Sequence, residues 1–298
     1  MLKLTTIFWQ IIVVLLLLSS CSKKLVTTNF SITNETDLSK HLDGDGKHVR
    51  YQKLLKSTDY ELKYDRAIIY YDKKDYYRAL PLFEELLNIY KGTTKAQEIY
   101  YYYAYCHYGM GDYLLSSYHF KNYTSTFPKG IHAEECQFMN AYCYYRQSPE
   151  PSLDQETTLK AINEFQLFAN LYPQSSRIVR CNELIDELRF KLESKSYETG
   201  KLYFKTENYR AAVVAMNNTL KDFPATKYKD ELLYLILKAN YSLAINSIED
   251  KKASRLQDAI EAYNKCISFS KEKIYIKDIE NIHQNIQNEL KKINTPNS

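Results

Sequence analysis

Residues 97–128 read QEIYYYYAYCHYGMGDYLLSSYHFKNYTSTFP, and this stretch decides the fold. It carries small residues at Ala104 and Ser116, an aromatic at Phe120 and a proline at Pro128. The spacing returns elsewhere. Leu171-Tyr172-Pro173 and Asp222-Phe223-Pro224 match Thr126-Phe127-Pro128, and twelve residues before the three prolines stand Ala161, Ala212 and Ser116. Four residues further on come Phe165, Met216 and Phe120. Such a recurrence marks a stacked helix–turn–helix array. The small residues mark the close crossing of two helices. The proline stops the second helix and opens the next turn.

These units resemble tetratricopeptide (TPR) repeats, and five fit in register. The first runs from about Tyr60 to Lys91 with Ala67, Ala79 and Phe83; the second is the stretch above. The third starts near Glu134, with Ala141 and Ala161 and extra residues around Pro149 and Pro151. The fourth runs from about Glu193 to Pro224 with Gly200, Ala212 and Met216, and the fifth is set by Ala239, Ala259 and Tyr263. Pro81 falls inside the second helix of repeat one, where it predicts a kink or a delayed start. Apolar spacing from Ile178 to Leu192 continues without a breaker into repeat four and predicts one helix of about 30 residues, interrupted only by Gly200. Beyond Lys271, residues Ile279, Ile282, Ile286, Leu290 and Ile293 form an amphipathic helix that can cap the array or bind a partner. The fold class is all-α: a superhelical array of five TPR-like repeats after a lipoprotein signal and a flexible tether.

The N-terminus supplies an address. Lys3 precedes an apolar run from Ile7 to Leu18, too short for a comfortable span and shaped like a secretory signal. Leu18-Ser19-Ser20-Cys21 resembles a bacterial lipobox, which implies cleavage before Cys21, acylation of that residue and a membrane anchor that does not span. Ser22 after the cysteine resembles lipoproteins sent to the outer membrane, and Lys23 and Lys24, in place of the acidic run of some surface-exposed lipoproteins, imply the periplasmic face. The plan is a signal over 1–20 and a lipidated tether over 21–50, then an N-terminal half of three repeats over 51–174. A C-terminal half of two repeats with a long linking helix follows over 175–270, and an amphipathic helix and tail over 271–298. Asp43-Gly44-Asp45-Gly46 has the start of a calcium loop but lacks its far acidic ligand.

The chain has only 7 Gly and 7 Pro in 298 residues, few for a loop-rich fold. Without the signal, 39 basic residues (40 less Lys3) face 36 acidic ones, which is no nucleic-acid footprint. Besides Cys21, five cysteines remain: Cys106, Cys136, Cys143, Cys181 and Cys266. An odd number argues against a full disulfide framework, and most suit small buried packing roles. Cys106 and Cys143 share a position in adjacent repeats, which leaves one bridge open. The histidines show no metal-ligand spacing, and no nucleophile elbow or phosphate loop appears, so neither a catalytic site, a cofactor nor a metal is expected. Gly109-Met110-Gly111 reads as the turn between the helices of repeat two. Glu84-Glu85 and Glu134-Glu135 read as solvated faces or groove edges.

Tyrosine is abundant, 29 residues, and ordered. The expected groove positions of the first helix hold Glu61, Tyr64, Ile68 and Tyr71 in repeat one, and Glu98, Tyr101, Tyr105 and Tyr108 in repeat two. Repeat three has Glu135, Phe138, Tyr142 and Tyr145. Repeat four places Lys201 between Tyr197 and Phe204, and repeat five has Leu233, Ile236, Asn240 and Leu243, a different chemistry. Tyr70 and Tyr203 read as core. A buried tyrosine needs a partner for its hydroxyl, so repeated tyrosine on an inner face suits a partly wet, peptide-binding surface. The candidate groove is Tyr64, Tyr71, Tyr101, Tyr105, Tyr108, Phe138, Tyr142 and Tyr145.

Tyr172-Pro173-Gln174-Ser175, the helix ending Tyr197-Glu198-Thr199-Gly200-Lys201-Leu202-Tyr203-Phe204, Asn208-Tyr209-Arg210-Ala211-Ala212 and Leu220-Lys221-Asp222-Phe223-Pro224-Ala225-Thr226 resemble the BamD family. These are lipoprotein subunits of the outer-membrane β-barrel assembly machinery. The resemblance spans about residues 55–270 and implies a periplasmic scaffold. It implies C-terminal repeats that hold a BamA-type outer-membrane barrel protein, and N-terminal repeats that receive the C-terminal segments of unfolded outer-membrane proteins. The family's C-terminal contacts do not transfer residue by residue, because the tail beyond Lys271 departs. A TPR lipoprotein adaptor for a peptidoglycan enzyme or protease remains the alternative.

Overall fold

The computed structural model describes residues 51–269 and 274–294. The signal, Cys21, the tether and the Asp43–Gly46 fragment lie outside the described residues. Within them all regular structure is α-helical: α1 (Tyr51–Leu55), α2 (Tyr60–Asp72), α3 (Tyr76–Ile89), α4 (Lys95–Gly109), α5 (Tyr113–Thr126), α6 (Ala133–Gln147), α7 (Glu156–Leu171), α8 (Ile178–Lys205), α9 (Tyr209–Asp222), α10 (Lys229–Ile245), α11 (Glu249–Phe269) and α12 (Ile276–Asn294). The chain divides into two compact units, Met1–Leu62 and Lys63–Ser298. In the first, the Asp59 side chain accepts the Leu62 N–H at 3.0 Å and so caps the first turn of α2.

In the second unit each helix from α3 to α12 packs on its chain neighbours, and α8, α10 and α12 also touch in sequence. That is the neighbour-only packing of a TPR-like array. The turns inside repeats one, two and four repeat one hydrogen bond: Asp75 N–H to Tyr70 O, Asp112 N–H to His107 O and Asn208 N–H to Tyr203 O. All three turns need a left-handed residue, supplied by Lys74 (φ 59), Gly111 (φ 82) and Glu207 (φ 59). Gly109 does something else. It ends α4, and a Cβ there would lie 2.2 Å from the Tyr76 ring.

The small-residue positions are close crossings, as the spacing predicts. Ser116 donates its hydroxyl to Ala104 O at 3.1 Å, and a Cβ on Gly200 would stand 2.7 Å from Met216 Cγ. Where proline follows, Phe127, Tyr172 and Phe223 end their helices at ψ 63, 59 and 71. Tyr90, followed by Lys91 instead, stays near-helical at ψ 12. The proline ring forces the difference. Pro81 sits inside α3 without delaying it, since α3 starts at Tyr76 just after its turn, as α5 does at Tyr113. The long helix is α8, 28 residues with Gly200 buried inside it.

The core is a succession of clusters shared between neighbouring repeats. One holds Ala104, Phe120, Tyr123 and Cys136; a second Phe165, Phe168, Leu184 and Leu188; a third Met216, Leu237, Leu256 and Cys266. Each large apolar side chain so buried contributes about 1.5–3 kcal/mol. α12 joins the third cluster through Ile279, Ile282 and Ile286, with Leu290 partly buried, whereas Ile293 is exposed. The five cysteines are buried and free, so no bridge links Cys106 to Cys143. The Cys143 thiol instead donates to Ser116 Oγ. Tyr203 is not core: it is 38% exposed and lines an open depression over α9 with Val214.

Candidate aromatic binding surface

Seven of the eight expected groove residues join one file of touching rings. Tyr71 meets Tyr102 edge-on at 4.9 Å, and Tyr102 meets Tyr101 at 5.4 Å. Tyr101 lies 4.8 Å from Tyr105, Tyr105 6.2 Å from Tyr108, and Tyr108 6.4 Å from Tyr142. Tyr142 then stacks on both Phe138 and Tyr145, at 6.0 and 5.4 Å. Tyr64, the eighth, carries the Lys95 ammonium 4.2 Å above its ring. All eight are half-buried. Edge and offset contacts of this kind add about 0.5–1.5 kcal/mol per pair beyond buried area. The file also includes Tyr102 and Tyr113, which the positional pattern does not pick out.

The hydroxyls have partners, and those partners explain the recurring acids. Glu135 accepts from both Tyr101 (3.2 Å) and Tyr105 (2.6 Å). Tyr197 donates to Glu231 at 2.6 Å, and Tyr234 to Asp278. Burial first, and then the Glu98 carboxylate beside it, push the Tyr64 phenol above its ordinary range. Each tyrosine thus reaches the acid of the next repeat. Burial, Tyr101 and Glu135 likewise push Tyr105 far above its usual value, which favours its neutral, donating form. Repeat three has Phe138 here and uses a cation instead. Arg177 lies 6.0 Å over the Phe138 ring and pairs with Glu134 (3.3 Å) and Glu135 (3.6 Å). Glu134 and Glu135 are therefore ion-pair partners, as Glu85 is for the buried Lys63.

Repeat five requires a correction. Leu233, Ile236 and Asn240 are buried, 7, 5 and 9% exposed, and pack in the third cluster or line a cavity with α9 and α11. The residues that continue the row are Glu231, Tyr234 and Lys238. Six residues beyond Glu98 and Glu135 stand Ala104 and Ala141; six beyond Glu231 stands Leu237. A bulky residue at the small-residue position hid the register, and Ala239 displaced it by two. In this half, lysine replaces the second tyrosine. Lys201 donates to the Tyr197 hydroxyl at 2.8 Å and pairs with Glu231 at 3.2 Å, and Lys238 does the same for Tyr234 and Asp278 at 3.0 and 3.6 Å.

On the other side of α4, His107 stacks on His119, with ring centroids 5.0 Å apart. His107 is buried with neither ring nitrogen hydrogen-bonded. Burial lowers both, and His107 adds to the lowering of His119, which falls to about 4. Among the described residues, no group of three or more His, Cys, Asp or Glu is placed to hold a metal ion. No described helix is long and apolar enough to cross a membrane.

Residues 57–256 match the family described as YfiO, outer membrane lipoprotein. The chain belongs to this family. The YfiO match covers α2 to α10 and with them the whole aromatic file. Among solved structures, the chain is similar to the TPR2AB domain of yeast Sti1 in a pHSP90 complex. Identity there is 12%, with 78% of this chain and 93% of that one covered and a TM-score of 0.38. It is also similar to the TPR domain of P58(IPK), at 14% identity, 84% and 72% coverage and a TM-score of 0.37. No curated protein matches.

Proposed function

We propose that this YfiO-family chain is a non-catalytic scaffold in the assembly and insertion of outer-membrane β-barrel proteins. Acyl chains on Cys21 hold it on the periplasmic face of the outer membrane. The aromatic file of the N-terminal repeats receives the C-terminal segments of unfolded barrel proteins, and the C-terminal repeats hold a BamA-type barrel protein. The observation that carries the reading is the unbroken run of half-buried rings from Tyr71 to Tyr145. Rigid aromatic area with polar tips binds extended peptides at low entropic cost. The two halves also differ chemically, with Tyr–Tyr–Glu in repeat two and Tyr–Lys–acid in repeats four and five, which suits two partners.

The test is affinity purification of the chain tagged at Ser298 from detergent-solubilised membranes, with mass spectrometry of stoichiometric partners. A BamA-type barrel protein at near one-to-one supports the reading. A peptidoglycan enzyme or protease in its place makes the chain an adaptor.

A further inference from the structure

The seam between α5, α6 and α7 is closed by the chain's own charges. Lys121 reaches from α5 to Glu164 on α7 at 3.2 Å, and the buried Asn140 donates to the same carboxylate at 2.8 Å. Two repeats on, the equivalent seam lies between α9, α10 and α11. Asn217 follows Met216 there as Lys121 follows Phe120, and Ala262 stands three residues after Ala259 as Glu164 does after Ala161. Both partners of the ion pair are thus cut short, and a cavity of about 230 Å³ takes their place. Its floor is apolar, from Val213 and the buried Leu233 and Ile236. Asp258 and Glu261, one turn apart on α11, also line it. Both are exposed, and among the described residues no cation comes within 4.0 Å of either carboxylate. Asn240 lines the cavity from α10 and is 9% exposed. Its one hydrogen bond to a described residue runs from Nδ2 to Ile236 O at 3.0 Å, so its carbonyl oxygen accepts none. A buried carbonyl and two unpaired acids around an apolar floor call for a cation on an apolar stem.

We propose that this cavity receives an arginine side chain from a partner protein, which supplies in trans the cation that Lys121 supplies in cis in repeat three. A guanidinium carries five donors in a planar fork, enough for both carboxylates and the Asn240 carbonyl, while its methylenes cover the apolar floor. Lys265 lines the same cavity, four residues after Glu261, and pairs with neither acid. Its charge opposes an entering cation, so its removal should tighten the site. Nothing in this site depends on the aromatic file of the N-terminal repeats. The plainer role for Asp258 and Glu261, a solvated helix face, predicts no saturable binding and no preference for a charged side chain over a neutral one of the same shape.

The test is an NMR titration of the full-length chain in detergent micelles, labelled at its Ile, Leu and Val methyls. The probes are Nα-acetyl-arginine methylamide and its neutral isostere, Nα-acetyl-citrulline methylamide. The arginine probe should shift the Val213, Leu233 and Ile236 methyls saturably, with half-saturation at about 1–10 mM for so small a ligand. The citrulline probe should bind about fivefold more weakly or worse. Asp258→Asn combined with Glu261→Gln should bring the arginine probe down to the citrulline level, and Lys265→Gln should tighten it about twofold. Equal binding of the two probes overturns the proposal, and that comparison needs no variant to fold. So do shifts that stay linear in the arginine probe, or a double variant, helical by circular dichroism, that keeps the preference. Free L-arginine binding more tightly than the blocked probe, its α-carboxylate on Lys265, would make the ligand an amino acid and overturn docking by a protein side chain.

Discussion

Tyr197 donates its hydroxyl to Glu231 across 34 positions, and Tyr101 donates to Glu135 across the same 34. One repeat length thus separates donor and acceptor, and the bond ties each repeat to the next. A neutral donor on a carboxylate is worth about 1.5–3 kcal/mol, and a donor left buried and unpaired costs about 1–3 kcal/mol. Glu135→Ala strands two phenols and removes one partner of Arg177, so it should destabilise the array by about 2–4 kcal/mol. Tyr105→Phe removes one hydroxyl and leaves Tyr101 on Glu135, so the loss should stay at the low end of the range for one such bond, about 1.5 kcal/mol. Urea unfolding followed by far-UV circular dichroism separates the two. Equal losses would show that the carboxylate does not bridge.

The three left-handed turn residues make a matched set. Gly111 occupies φ 82 freely, whereas Lys74 and Glu207 hold φ 59 with a Cβ in place. That conformation costs an ordinary residue about 1–2 kcal/mol, partly offset by the greater entropy glycine loses on folding. Glu207→Gly should therefore stabilise by about 0.5–1 kcal/mol. Gly111→Ala should destabilise by about 1 kcal/mol, although nothing lies within 4 Å of the new Cβ. Melting temperatures of the two variants should move in opposite directions.

Much of this array is legible from spacing, because close crossings demand small residues at fixed intervals. Ala104 with Ser116 and Gly200 with Met216 are such crossings. The uninterrupted apolar period after Ile178 likewise announces α8. What spacing hides is the partner across the repeat. The recurrence of an acid ahead of the tyrosines is visible in the chain, but its cause, a bond to the preceding repeat, is not. Repeat five shows the limit of an anchor residue: Leu237 fills the small-residue position, so Ala239 draws the register two residues away. Tyr203 shows another limit, since helical position alone does not tell an inner wall from an open outer one.

The stacked histidines give stability a defined pH dependence. Burial lowers both His107 and His119, the latter to about 4 from an ordinary 6.5, with Asp112 opposing each shift and Glu84 also opposing that of His107. A histidine with a depressed folded value binds more protons when unfolded, so stability is intact above the unfolded value and falls as pH drops below it. The window for His119 is from pH 6.5 down to about 4. Urea midpoints measured across that window should fall with decreasing pH. His119→Gln should flatten the slope by up to one proton. An unchanged slope would place the titration elsewhere.

The far end of the array tests whether α12 is a cap. Its buried face, Ile279, Ile282 and Ile286, lies in the same cluster as Cys266, while its other face carries Lys277, Glu280, Gln284 and Lys291. A polar outer face on a terminal helix is what seals a repeat stack from water. Lys252 clips it from α11 at 2.8 Å, and its ammonium with that of Lys292 holds the Glu289 carboxyl down to about 2. Ile282→Asp buries a charge where no partner waits, a change that undocks a helix rather than tolerates it. Stability in such arrays is a sum over neighbours, so the effect should stay at this end. The Cys266 thiol, pushed by burial to about 11, should then react with a maleimide far faster than in wild type, while Cys106, at about 12 and separated from the cap in sequence by repeats three to five, keeps its protection. Equal acceleration at both cysteines would mean that the array unfolds as one cooperative block and that α12 secures the whole of it.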